Sequence, residues 1–208
     1  MSRNQIIFTD DKDTIDFARK FLNQRISSLG NDVKRCLTED RSFEYLIGQP
    51  APYPALLYSF SIIDLLASLS AGSTDNAPGE KTKRAKKYMV DFMGYKDHII
   101  NLLQELFRHK LVHLSEPAYS FLYNGKRIAW IHDERPTAKH LDVQDLNKYY
   151  DIFGKRIWHD RVFIIKVSQF KDDIVKSVTD SKNGLLTKIE IDKHMRENFK
   201  TAIREIFH

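Results

Sequence analysis

Residues 102–117 read LLQELFRHKLVHLSEP. Together with Ile99, the apolar positions Leu102, Leu103, Leu106, Phe107 and Leu111 recur at helical spacing, which predicts an amphipathic helix ending before Pro117. The same stretch carries Arg108, His109 and His113. His109 and His113 stand one turn apart and share a face. Arg108 precedes His113 by five residues, so the two diverge by roughly 140° around an ideal helix. They converge only if the long Arg stem folds across, if the last turn is distorted, or if a second copy of the surface completes the site.

Upstream, the pattern stays helical. Ile15, Ala18, Leu22, Ile26, Leu29 and Val33 mark a helix over residues 11–38, with Gly30 as a candidate kink. Residues 39–53 are punctuated by Gly48, Pro50 and Pro52. Pro54 suits the start of a second helix, where a missing N–H costs little. That helix runs through Leu57, Phe60, Ile63, Leu66 and Leu69 to Gly72. It carries Asp64, a carboxylate that needs a partner if buried, such as Arg108 or a protonated His113. Alternatively, Asp64 lies on a solvent-facing strip with Ser61 and Ser68. After the turn-rich 73–80, a third helix reaches Gly94 and opens with Lys81, Lys83, Arg84, Lys86 and Lys87. Cations there oppose the helix dipole, so local stability does not account for them. RNA phosphates would, and so would an ordinary solvated face. The expected core is therefore a helical bundle over residues 11–115.

Downstream, the period changes. Asn124-Gly125 between two β-prone runs predicts a small hairpin over 118–133, with Tyr123 opposite Lys126, Phe121 opposite Ile128 and Tyr119 opposite Trp130. Arg135–His140 reads as a loop and 143–153 as a short helix. Val162–Val167 is open between strand and helix. Residues 168–181 and 190–207 read as helices, separated by a turn at Asn183-Gly184. The fold class expected is mainly α: a bundle, a β-hairpin insertion, and C-terminal helices within 143–207, all in a single domain.

The chain has 208 residues, 42% of them hydrophobic and 29% charged, with net charge +5. These values suit a soluble globular protein and permit a polyanionic partner. Cys36 is the only cysteine, which excludes an intramolecular disulfide and a cysteine-based metal site and fits a reducing cytoplasm. The first residues, MSRNQIIFTDDKD, lack the apolar run of a signal peptide. Ala55–Gly72, interrupted by Asp64 and several serines, reads as a core helix and not a membrane span.

Phosphate-binding glycine motifs and the G-x-S-x-G elbow are absent. His109 and His113 have the spacing of paired zinc ligands, but no Glu follows His109 as in H-E-x-x-H, so no metal and no cofactor is expected. An Arg, a polar residue or His directly after it, and a His four to six residues beyond the Arg, at the end of a bundle helix, resembles the HEPN superfamily. Arg108, His109 and His113 fit the shortest spacing, and the resemblance covers about residues 50–115. It implies a dimeric four-helix bundle and, in many members, a metal-independent endoribonuclease of toxin–antitoxin, abortive-infection or CRISPR systems; other members are inactive. Members regulated by nucleotidylation carry a Tyr two residues after the His. Ser115 stands there, so that regulation is not implied.

The chemistry asks for few groups. RNA cleavage by its own 2′-hydroxyl needs a proton acceptor, a proton donor and a clamp for the phosphorane. His113 would carry the proton, Arg108 would bridge phosphate oxygens, and His109 would orient the site. A structural role is also open, with Arg108 paired to Glu105 and His113 on the helix's last carbonyls. The expectation is an RNA-cutting homodimer with a possible antitoxin partner. The alternative is a silent bundle that binds RNA or protein.

Overall fold

The computed structural model describes residues 6–38, 52–75, 77–105, 120–152 and 154–207. Among these the chain is mostly helical with a sizeable sheet. Helices α1 (Asp11–Leu37), α2 (Pro52–Ala71), α3 (Glu80–Asp91) and α4 (Asp97–Leu103) come first. Strands β1 (Ser120–Tyr123), β2 (Lys126–His132), β3 (Asp142–Ile152) and β4 (Lys155–Ile165) follow. Helices α5 (Val167–Thr179), α6 (Leu185–Ile191) and α7 (Lys193–Ile206) close the chain. They form two compact units interleaved in sequence: Met1–Asn31, Ser59–Lys96 and Asp172–His208 in one, Asp32–Tyr58 and Asp97–Lys171 in the other.

The first unit is helical. Ala18, Leu22, Ile26 and Leu29 of α1 are buried, as their spacing predicts. Ile63, Leu66 and Leu69 of α2, Tyr88 and Met89 of α3, and Phe199, Ala202 and Ile203 of α7 are buried too. Two tyrosine hydroxyls in this unit are paired. Tyr88 Oη and Ser177 Oγ lie 2.8 Å apart, and Tyr95 donates to Asp173 at 2.6 Å. Asp11 at the start of α1 meets Arg196 and Lys200 of α7, both at 3.3 Å. Helix α2 is long and apolar enough to cross a membrane by composition alone, and half of its apolar window is buried within the protein.

The second unit is built on a mixed sheet of order β1-β2-β4-β3. The hairpin forms in the expected register: Phe121 faces Ile128 and Tyr123 faces Lys126. Asn124 at φ 51° and Gly125 at φ 74° give the two left-handed residues of a type I′ turn. Tyr119 lies outside the described residues. The hairpin is not a separate insertion, however. Its second strand pairs in parallel with β4, Ile128 beside Arg161 and His132 beside Ile165, and β3 adds antiparallel to β4.

Two expectations are corrected here. Residues 143–153 are not a short helix, because Asp142–Ile152 is strand β3. Val143, Leu146 and Tyr149/Tyr150 mimic helical spacing because a bulge between Asp145 and Lys148 shifts the alternation. The C-terminal helices therefore begin only at Val167, and Val162–Ile165 belong to β4. Nor is 190–207 one helix. Asp192, extended at φ −109° and ψ 116°, separates α6 from α7. Its carboxylate accepts from the backbone N–H groups of His194 and Met195, capping α7.

At the end of α2, Gly72 adopts φ +71°, and a Cβ there would fall 2.9 Å from Asn198 Cα. Gly72→Ala is expected to lower the unfolding free energy by about 1–3 kcal/mol in a urea titration. An unchanged midpoint would mean that α7 yields at no cost.

Candidate functional site

Helix α4 leads into the Arg/His stretch. Ile99, Ile100, Leu102 and Leu103 are buried, so four of its seven residues anchor it in the second unit. At Gln104 and Glu105 the helix widens from α to π geometry. Gln104 is 1% exposed, and among the described residues neither its Oε1 nor its Nε2 has a hydrogen-bond partner. A buried amide in that state costs roughly 1–3 kcal/mol. Arg108, His109 and His113 lie outside the described residues, as do any contacts they make.

The other expected site residues are placed. Asp64 is half-buried in the middle of α2, between the two alternatives the sequence offered. Ser61 beside it is exposed, and Ser68 donates to the Asp64 backbone carbonyl at 2.9 Å. Asp64 belongs to the first unit, whereas α4, which precedes the Arg/His stretch in sequence, belongs to the second. On α3, Lys83 pairs with Glu80 at 2.6 Å and Lys87 with Asp91 at 2.7 Å. Arg84 donates through Nη2 to the Asp75 carbonyl at 2.6 Å. Lys81 is exposed and Lys86 half-buried. Nearby acceptors thus compensate three of these five cations locally, which accounts for their tolerance at a helix start.

One constellation was not foreseen. His132 Nε2 lies 2.8 Å from Glu134 Oε1, and Ser168 Oγ donates to the other oxygen of the same carboxylate. Ser168 N–H also donates to Glu134, at 3.1 Å. Burial pushes the Glu134 carboxyl up, but the Ser168 and His132 hydrogen bonds outweigh it and hold the group below its ordinary range. Ser, His and a carboxylate suggest a hydrolase, yet both Ser168 and His132 face Glu134, so no base is aimed at the serine. The arrangement is a carboxylate cap on α5, joining the end of β2 to the helix after β4. Sequence spacing could not reveal it, because 34 residues separate Glu134 from Ser168. Among the described residues no group of three or more His, Cys, Asp or Glu could hold a metal ion.

The chain matches no protein-family model, no curated protein and no solved structure.

His159 of β4 is 1% exposed, with Nδ1 3.1 Å from the Ile157 carbonyl. Burial lowers its pKa below the ordinary 6.5. The unfolded chain therefore binds this proton more readily than the folded one. Stability is expected to fall as pH drops through 6.5 and to level off below the folded pKa. Thermal melts from pH 8 to 5 should show a shallower decline in His159→Gln than in the parent. Parallel curves would sink the assignment.

Proposed function

We propose that the chain is a HEPN-like, metal-independent endoribonuclease that cuts single-stranded RNA, working in the cytoplasm within a prokaryotic defence or toxin–antitoxin system. The observation that supports this reading is a buried helix that widens at Gln104 and Glu105, just before Arg108 and His113 in the sequence. Wide turns inside helices concentrate at functional sites. A buried amide with no partner among the described residues, four positions before the arginine in sequence, is a second local cost.

In the proposed reaction, the base removes the proton of the 2′-hydroxyl, which attacks the adjacent phosphorus. The bond to the 5′-oxygen breaks, and the leaving oxygen takes a proton. The products are a 2′,3′-cyclic phosphate and a free 5′-hydroxyl. His113 carries the proton and Arg108 holds the equatorial phosphate oxygens. On one ideal helix these residues diverge, so the working unit in this reading is a homodimer that brings His113 of one copy to Arg108 of the other. An antitoxin protein would cover that site.

A second reading is a silent module that binds RNA or protein. The observation favouring it is the exposed aromatic pair on the β3–β4 hairpin, Tyr149 at 51% and Trp158 at 39%, with Arg156 5.1 Å over the Tyr149 ring.

Purified protein should cleave single-stranded RNA in EDTA, and Arg108→Ala and His113→Ala should each abolish cleavage without shifting the thermal midpoint. Cleavage that survives both substitutions would refute the reading, and loss in EDTA would redirect it to a metal site. Light scattering should give about 49 kDa, twice the 24.4 kDa chain. Mixing the two inactive variants should restore part of the activity if each site takes one residue from each partner.

A further inference from the structure

One face of the sheet in the second unit meets α4 around a cavity of about 240 Å³. Register places its lining. Tyr123 faces Lys126 and Phe121 faces Ile128, so Tyr123 and Ile128 share a face. Ile128 stands beside Arg161, and Val143 faces Phe163, two residues beyond Arg161. Strand alternation therefore puts Tyr123, Ile128, Val143 and Arg161 on the same side. His98, Ile99 and Leu102 of α4 form the opposite wall.

Three features single this cavity out. Its lining is mixed, with His98, Tyr123 and Arg161 as polar groups among apolar side chains. Arg161 is only partly committed: its Nε donates to Asp145 at 3.2 Å, and Asp145 is itself 72% exposed. Among the described residues no other acceptor engages that guanidinium fork, which leaves it available to an anion. Finally, Leu141 lines the cavity at φ 54°, a left-handed conformation that bulky residues rarely adopt. Strain of this kind collects at ligand sites.

We propose that this cavity binds one nucleotide unit of the RNA, its base between the apolar walls and its phosphate on Arg161. The size supports a single unit, because the volume lies below the range usual for larger ligands. Tyr123 supplies a ring for stacking, and His98 a second polar group beside the phosphate. Helix α4, which forms one wall, lies a few residues before Arg108 in the sequence. The choice of an RNA nucleotide rests on the proposed function; the cavity and its arginine do not.

Calorimetric titration of the full chain with each nucleoside 5′-monophosphate, and with inorganic phosphate, tests this. Nucleotide should bind at least about tenfold tighter than phosphate, and Arg161→Gln should weaken it by about tenfold or more. Val143→Phe, which fills the cavity, should also abolish binding. If that variant does not fold, Leu141→Gly takes its place: glycine accepts the left-handed backbone and removes an apolar wall, so nucleotide affinity should fall while affinity for phosphate holds, and an unchanged nucleotide affinity would overturn the role of that wall. Failure of the parent to bind nucleotide overturns the proposal, as does binding unchanged in Arg161→Gln. Equal affinity for phosphate alone overturns the role of the apolar walls. Nucleotide binding without Arg108-dependent cleavage would leave this site standing and remove the ribonuclease reading. Cleavage without nucleotide binding would do the reverse.

Discussion

The parallel pairing of β2 with β4 is the constraint on which the second unit depends. A parallel neighbour cannot be reached by a tight turn, so the chain must leave the sheet and come back. It does so through the loop after His132 and through β3, which then guides β4 into the gap beside β2. The buried strip Val162–Ile165 results from this central position, with a neighbour on each side. The Glu134 cap follows from it too, because the end of β2 and the start of α5 are adjacent only once β4 lies alongside.

How much of this could be read from the sequence varied with the range of the interaction. Local signals worked. The spacing of Ala18, Leu22 and Leu29 marks α1, and Asn124-Gly125 marks a hairpin in its correct register. Long-range ones did not. Nothing in residues 126–132 says that the strand has a second neighbour, and the bulge beside Lys148 hides the alternation of β3 behind a helical period. Asp192 falls within the helical pattern of 190–207, although its side chain is a strong cap. The helical spacing of Ile191, Met195, Phe199 and Ala202 continues across it, and a cap inside a continuous apolar pattern is hard to see.

The candidate site divides in the same way. Arg108, His109 and His113 are contiguous enough to be noticed as a motif. Gln104 carries no spacing signal, and its significance lies entirely in its burial without partners among the described residues. His98, Tyr123 and Arg161 come from a helix and two strands, so only the register of the sheet brings them to one cavity. The lysines of α3 show the opposite case. They are conspicuous in sequence, yet Glu80 and Asp91 already answer two of them.

The bulge in β3 also bears on how the protein avoids itself. As a border of the sheet, β3 offers a row of open backbone groups, and a flat border of that kind recruits another chain and propagates. At Asn147, φ turns to 48°, and Lys148 follows with its charge. The kink interrupts the run of groups a second strand would have to match, and the charge makes desolvating that border costly. The feature that disguises this strand in the sequence thus also breaks up the border beside exposed Tyr149 and Tyr150, where an uninterrupted strand would favour cross-β stacking.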